Sequence, residues 1–319
     1  MIYLDETSLD YIPSTKGIDV QEFEIAIGRY LGVDKCVAVN SGTSALHLAL
    51  LACGISRGDK VVVPATTFIA TANAVSYTGA RVVLQDVHPD NWCLTGLVSR
   101  KAKAIIPVVL YGNYFMSIRA DSDQFVILDS AEGSNKLSKK KEMDYICYSF
   151  NGNKNITTGG GGLVVGRRKS VDPIRKMINP GSYDGVGYNY GMTGLNARLG
   201  LEQLPLLESH LAKKNKFNEI YRENLKHRLT FQTVMGMPWM TAALFPAGTD
   251  IPKLQSSLQT MGIPTRRVFE PLNHFKPYRD GKTYPVAEDI WQRGLCLPSS
   301  VRNSEGCIYE ICQKIKALL

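Results

Sequence analysis

An α/β fold with a doubly wound sheet follows from three features of this 319-residue chain. Short apolar runs of strand length recur at Val37–Val39, Lys60–Val63, Arg81–Val87, Ala102–Tyr111, Phe125–Leu128 and Tyr145–Phe150, separated by helical patterns or short connections. Polar or glycine-rich turns follow several of these runs at their carboxyl ends, where open α/β sheets bind ligands. The length suits a large α/β domain plus a smaller one and is ample for a sizeable core.

Composition narrows the class. Hydrophobic content of 44% and charged content of 21% are ordinary for a globular chain. No apolar run is long enough to cross a bilayer. The first residues lack a basic region followed by an apolar one, so the expectation is a cytoplasmic protein without a signal peptide. Seven scattered cysteines, with no metal spacing, read as reduced thiols. The net charge of +8 is spread out, with Lys139-Lys140-Lys141 the tightest run. No nucleic-acid-binding motif accompanies it, so attraction of an anionic substrate is the preferred reading.

The elements follow in order. Asp19 opens a helix, with Glu22 completing a capping box, and apolar residues at helical spacing run to a stop at Gly32. Strand Val37–Val39 breaks at Asn40-Ser41-Gly42-Thr43-Ser44 into an apolar helix, Ala45–Cys53. A strand, a Gly/Ser/Thr turn and a helix start make a phosphate site, because first-turn N–H groups lack helical partners and sit at the positive dipole end. An ordinary Ser/Thr N-cap gives the same pattern. Lys60–Val63 turns at Pro64–Phe68 into a helix ending near Tyr77, leaving Phe68 at a carboxyl end where its ring either stacks on a ligand or packs in the core. Phe125–Leu128 delivers Asp129 in the same way. Tyr145–Phe150, a polar loop and Leu163–Val165 read as strand, loop, strand, with Lys154 among small polar residues and Gly159–Gly162 behind it. A carboxylate that pairs with a protonated ring nitrogen, and an amine that forms a Schiff base, are what pyridoxal 5′-phosphate (PLP) needs. A solvated hairpin lysine is the alternative.

Ile174–Tyr190 is loop-like. Leu199–Leu225 carries a long helical pattern interrupted at Pro205. Strands near Thr230 and Ala242, a helix over Lys253–Met261 and a final helix from Ser304 complete the chain.

The segments Ser41–Leu46, Pro64–Ala70, Asp129-Ser130-Ala131-Glu132, Ser149–Lys154 and Gly187-Tyr188-Asn189-Tyr190 resemble the DegT/DnrJ/EryC1/StrS sugar aminotransferases, in the right order over nearly the whole chain. The resemblance implies an α/β, fold-type I, aspartate aminotransferase-like PLP transferase with a mixed, mostly parallel sheet flanked by helices. It places the large PLP-binding domain at residues 1–210 and a small α+β domain at 211–319. It also implies roles: Lys154 carries the cofactor, Asp129 faces the ring nitrogen, and Phe68 lies over the ring. Gly42, Thr43, Ser44 and Ser149 hold the phosphate, and Glu132 sits near the phenolic oxygen. Asn189 reaches the phosphate of a partner subunit, which implies a homodimer with shared active sites. Ser149–Lys154 with Thr157–Gly162 and Gly294–Ser299 most resembles the branch making 4-amino-4,6-dideoxy sugars, including bacillosamine-pathway and perosamine enzymes. The implied partners are L-glutamate as amino donor and a nucleotide-linked 4-keto-6-deoxy sugar.

The chain departs from the family at several points. Val109 stands where a histidine is usual, Gly191 where the motif has arginine, Tyr111–Phe125 is short, and His274 falls one place late for a Pro-x-His segment. Retention of Lys154 argues against the sugar 3-dehydrases. A C3-keto sugar aminotransferase and a non-catalytic binding or regulatory protein on the same fold are the other readings. A nicotinamide enzyme is disfavoured, because no G-x-G-x-x-G follows the first strand.

Overall fold

The structure, a computed structural model, describes residues 17–94, 96, 97, 99, 101–113, 118–133, 143–178, 185–233 and 236–319. The Lys139–Lys141 run and residues 1–16 lie outside them.

Helix α1 spans Ile18–Leu31. The capping box expected at Asp19 and Glu22 does not form: the helix starts one residue earlier, behind an extended Gly17, and no side chain caps it. Asp19 instead lies buried in the first turn, 3.5 Å from an Arg198 guanidinium nitrogen. Gly32 ends the helix in the left-handed region, φ 66°, as its position suggested. Strand β1 (Cys36–Val39) leads to α2 (Gly42–Ala52), whose N-cap is Ser41. The Ser44 amide donates to Ser41 Oγ at 3.1 Å, so the helix begins before Ala45 and takes Gly42, Thr43 and Ser44 into its first turn.

Next come β2 (Lys60–Pro64), α3 (Ala70–Tyr77), β3 (Arg81–Gln85) and β4 (Gly96–Leu97). The strand expected over Ala102–Tyr111 shrinks to β5 (Ala104–Ile105). Pro107 has no N–H for a ladder, and a short 3₁₀ turn follows at Leu110–Gly112. Strands β6 (Ile118–Arg119), β7 (Phe125–Ser130), β8 (Tyr145–Ser149) and β9 (Gly162–Gly166) complete the first half. Among the described residues, one sheet has the order β1-β9-β8-β7-β5-β2-β3, parallel throughout except for β9. Its central strands are buried on both faces, which explains why they read as continuous apolar runs rather than alternating ones.

A helix, α4 (Asp172–Met177), occupies the start of the stretch expected to be loop; residues 185–190 are irregular except for a short bend. The long helical pattern divides at Pro205 as expected: α5 (Gly194–Gln203), a 3₁₀ turn and α6 (Leu207–Leu225). The remaining elements are β10 (Thr230–Phe231), β11 (Thr241–Leu244), α7 (Ile251–Thr260), β12 (Arg266–Arg267), α8 (Pro285–Arg293), β13 (Gly294–Leu297) and α9 (Glu305–Leu318). The four strands form an antiparallel sheet, β10-β11-β13-β12. Residues of α6, α7 and α9 pack on it around Phe217, Tyr221 and Phe245.

β9 runs against its neighbours, so the loop between β8 and β9 turns back at the carboxyl end of β8. That places it beside the β1–α2 turn. A Cβ on Gly162 would stand 2.4 Å from the Ser41 carbonyl oxygen and 2.8 Å from the Gly42 nitrogen, both backbone atoms that cannot swing away. A Cβ on Gly160 would meet nothing nearer than the Asn40 oxygen at 3.8 Å. Gly162→Ala is therefore expected to destabilise the protein by about 2 kcal/mol and lower its melting temperature by several degrees. Gly160→Ala should leave it nearly unchanged in thermal denaturation. Equal melting temperatures for the two variants would contradict this packing.

Candidate active site

Asp129 lies at the carboxyl end of the central strand β7, one residue before its last, and its backbone is fixed on both sides. Its amide donates to Pro107 O and its carbonyl accepts from Val109 N, each at 2.9 Å. The carboxylate is buried, yet no cation among the described residues contacts it. Oδ2 accepts from Thr71 Oγ1 at 2.7 Å, and Oδ1 from the Ala131 amide at 3.0 Å. Thr71 stands one helical turn after Thr67, and their hydroxyls lie 3.0 Å apart. Burial pushes the Asp129 carboxyl up, while Thr71, the Ala131 amide and the charge of Lys154 pull it down. Each oxygen still has capacity for a further donor from the cleft.

Lys154 rides on the loop between β8 and β9. Its amide donates to Asn151 O at 2.9 Å, and the loop is tied at its base by Thr158 N to Phe150 O and Phe150 N to Gly161 O, each at 2.9 Å. Asn196 of α5 adds a bond to Thr158 O at 2.6 Å. The Lys154 amine projects to within 3.7 Å of Glu132 Oε1 and lies 4.1 Å from the centroid of the Trp239 ring.

Glu132 is buried rather than on a surface helix. Its Oε2 accepts from the Tyr111 amide at 2.7 Å. Tyr111 adopts φ 57°, a conformation costly for a residue with a Cβ. That backbone turn aims its N–H at Glu132 and its carbonyl at the Trp239 amide, 2.8 Å away. The Tyr111 ring stacks on Phe269 at 5.4 Å, and its hydroxyl accepts from the Phe269 amide at 2.9 Å. Burial raises the Glu132 carboxyl to about 7, against the opposing pull of Lys154 and the Tyr111 amide.

These groups line one cleft of about 300 Å³. Gly42, Thr43, Phe68, Asp129, Glu132, Ser149 and Lys154 all border it. Ser44 does not: its hydroxyl donates to Asn40 Oδ1 at 2.7 Å and lies 2.9 Å from Ser41 Oγ, so it braces the turn. Asn189 is exposed, and its carbonyl accepts from Asn40 Nδ2 at 3.4 Å outside the cleft. Phe68 is 56% exposed although apolar, with one face against Phe269 at 5.8 Å. A Cβ on Gly42 would press on Ser149 Cβ at 2.9 Å, so glycine lets helix α2 and β8 close together there. Val109 is buried packing, and His274 sits away from the cleft, 3.1 Å from Glu270 and 2.7 Å from Glu288.

Thr71, Trp239, Arg266 and Phe269 also belong to this region and were not singled out in the sequence. Thr71 has a local signal, the i, i+4 spacing from Thr67. The others come from far along the chain, and nothing local marks them.

A profile of the DegT/DnrJ/EryC1/StrS aminotransferase family matches residues 7–316. The chain belongs to that family. It is 34% identical to the GDP-perosamine synthase of Escherichia coli O157:H7 over 329 aligned residues, covering 95% of this chain and 90% of that one. It is also 34% identical to the GDP-perosamine synthase of Caulobacter vibrioides, covering 96% and 91%. A solved DegT DnrJ EryC1 StrS aminotransferase from Brucella abortus superposes with a TM-score of 0.81 at 26% identity, over 95% of this chain and 91% of that one. The fold-type I architecture expected from the sequence is thus present, and the chain is an aminotransferase rather than an idle relative.

The raised Glu132 carboxyl has a consequence for stability. In the unfolded chain Glu132 ionises near its ordinary value of 4.5, and in the folded protein near 7. Between those values the folded state holds a proton that the unfolded state has released, so stability falls as pH rises, then levels off. Glu132→Gln should abolish that slope. The difference in unfolding free energy between variant and wild type should grow by about 3 kcal/mol from pH 4.5 to 7, as read by chemical denaturation of ligand-free protein. A pH-independent difference would contradict the burial described.

Proposed function

We propose that the cleft holds PLP and that the protein moves the amino group of L-glutamate to the C4 ketone of a nucleotide-linked 4-keto-6-deoxy sugar, giving a 4-amino-4,6-dideoxy sugar nucleotide. One observation carries the reading: Asp129 and Lys154, delivered by the neighbouring strands β7 and β8, border a single cleft that also meets the N-terminus of α2. The residues fit the cofactor. Asp129 is a buried carboxylate with no cation in contact among the described residues, suited to a protonated ring nitrogen. Gly42 and Thr43 present the start of a helix, suited to a phosphate.

PLP, when bound, supplies an electron sink for a carbanion and carries the amino group between donor and acceptor. The chain supplies the rest. Lys154 Nζ would hold the cofactor aldehyde and, as a free amine, would take the proton from the donor Cα. Asp129 holds the proton on the ring nitrogen. Gly42, Thr43 and Ser149 grip the phosphate, with Ser44 bracing the turn that presents them. Phe68 would hold the ring by stacking, and Glu132 would bind at its phenolic oxygen. Asn189, exposed and outside its own cleft, serves the phosphate of a second subunit in a homodimer. Arg266 and the overall positive charge favour an anionic nucleotide. The relatives named as perosamine synthases favour amination at C4.

We assign residues 1–210 to a large domain and 211–319 to a small one: Phe217, Ile220, Tyr221 and Leu225 pack with the second sheet, while Leu211, Trp239, Ala242 and Leu272 of the small domain join the cores of the first. The cleft then lies where the two lobes meet, since Trp239, Arg266 and Phe269 border it from the C-terminal side.

Wild-type protein with PLP is expected to show a visible lysine-bound cofactor band that L-glutamate bleaches. Lys154→Ala should never form that band and should turn over at least about a hundredfold more slowly. With glutamate and GDP-, UDP- or dTDP-linked 4-keto-6-deoxy sugars, mass spectrometry should find the amino sugar of one nucleotide. A folded protein that binds no PLP, or whose band ignores glutamate, would contradict the proposal.

A further inference from the structure

A second pocket lies at the other end of the sheet. It encloses about 410 Å³ between the amino ends of β2 and β3 and the segment that starts at Pro277. Lys60 and Arg81, the first residues of those strands, border it, and Lys101 joins them from just before β5. Among the described residues it shares no lining residue with the catalytic cleft.

The charge of this pocket is one-sided. Lys60, Arg81, Lys101, Arg279 and Lys282 line it against a single carboxylate, Asp280. The surplus of four positive charges equals half of the net +8 of the whole chain. In the catalytic cleft, by contrast, Asp129 and Glu132 balance Lys154 and Arg266. Asp280 is already engaged: Oδ2 accepts from the Tyr284 hydroxyl at 2.5 Å, and Oδ1 from the Lys282 amide at 3.1 Å. Neighbouring Lys103 has its own carboxylate, Asp59 Oδ2 at 2.8 Å. Among the described residues none of the five cations of the pocket has one. Like charges gathered in a concavity raise the local concentration of anions.

The walls are fixed without a ligand. The Tyr278 hydroxyl donates to Asn73 Oδ1 at 2.5 Å and lies 3.4 Å from Ser76 Oγ, which fastens this segment to α3. Asp86, just past β3, accepts from the Val286 and Ala287 amides at 2.9 and 3.0 Å and fastens the start of α8. Val82, Val83 and Pro277 add an apolar wall beside the cations. A preformed concavity of this volume, with an apolar wall and convergent polar groups, has the dimensions of a small-molecule site.

We propose that this pocket is a second binding site, separate from the catalytic cleft, and that it takes a nucleoside polyphosphate. Lysine and arginine hold the phosphates, arginine through paired N–H groups. The apolar wall receives the base, which a bare phosphate chain would leave uncovered. The proposal stands whether or not the cleft holds PLP.

The test is calorimetric titration of the full-length protein with ATP in low-salt buffer, where charges are least screened. Wild type should bind ATP, and Arg81→Glu/Lys282→Glu should bind it at least about tenfold more weakly. Lys226→Glu/Lys253→Glu, which makes the same charge change at exposed sites outside the pocket, should stay close to wild type. ATP should also slow acetylation of Lys60, Lys101 and Lys282, read by peptide mass spectrometry, and leave Lys226 unprotected. Absence of ATP binding, equal weakening in the two double variants, or protection confined to Lys154 would overturn the proposal. Inorganic tripolyphosphate binding as tightly as ATP would overturn the assignment to a nucleoside. If the pocket variant does not fold, the wild-type protection pattern decides alone: protected pocket lysines support the site, and unprotected ones overturn it.

Discussion

The hydrogen-bonded burial of the Asp129 carboxylate is the constraint on which the site depends. A charged group taken out of water is costly unless it is paired or well bonded. Here Thr71 and the Ala131 amide stabilise it by hydrogen bonds, and among the described residues no cation contacts it. The backbone around it is equally constrained, by Pro107 on one side and Val109 on the other. A carboxylate maintained in this way is prepared for a cationic ligand. The central strand, the first turn of α3 and the bend after β7 all serve that preparation.

The second constraint is the reversal at β9. Among the described residues, six strands of the sheet run one way and β9 returns against them. The return requires a loop, and Lys154 is on that loop. Its glycines allow the loop to press on the β1–α2 turn, where a Cβ on Gly162 has no room. The lysine loop is therefore brought to the β1–α2 turn by backbone packing. Trp239 and Tyr111 finish the arrangement from the other side, with Tyr111 held in the left-handed region so that its amide reaches Glu132. Strain of this kind survives only where surrounding contacts enforce it, and the stacked Phe269 and buried Trp239 provide them.

Much of this was legible from local chemistry. The Asn40–Ser44 turn, the strand before Asp129 and the lysine loop all rest on interactions within a few residues, so their pattern shows in one dimension. The Pro205 break and the Gly32 stop were legible for the same reason. Asp19 misled because a cap and a first-turn acid look alike in sequence; its partner, Arg198, lies on α5. The Ala102–Tyr111 run misled because apolarity alone does not reveal that Pro107 and the turn at Tyr111 end the ladder. Helix α4 was hidden by the glycines that follow it, and β12 and β13 by their shortness. Trp239, Arg266 and Phe269 were not legible as site residues, since only the packing of the second sheet brings them to the cleft. Ser44 was legible as part of the turn but not as a brace for it, because its hydroxyl chose Asn40 over the cleft.

The central claim is that one amine, Lys154, is the anchor for the cofactor, although the Lys214 amine also contacts Trp239, at its carbonyl. Borohydride reduction of PLP-loaded protein, followed by proteolysis and mass spectrometry, tests it most directly. The account predicts a pyridoxyl group on the peptide that carries Lys154 and on no other. A pyridoxyl group on Lys214 or another lysine, or none on a folded and PLP-saturated protein, would contradict it.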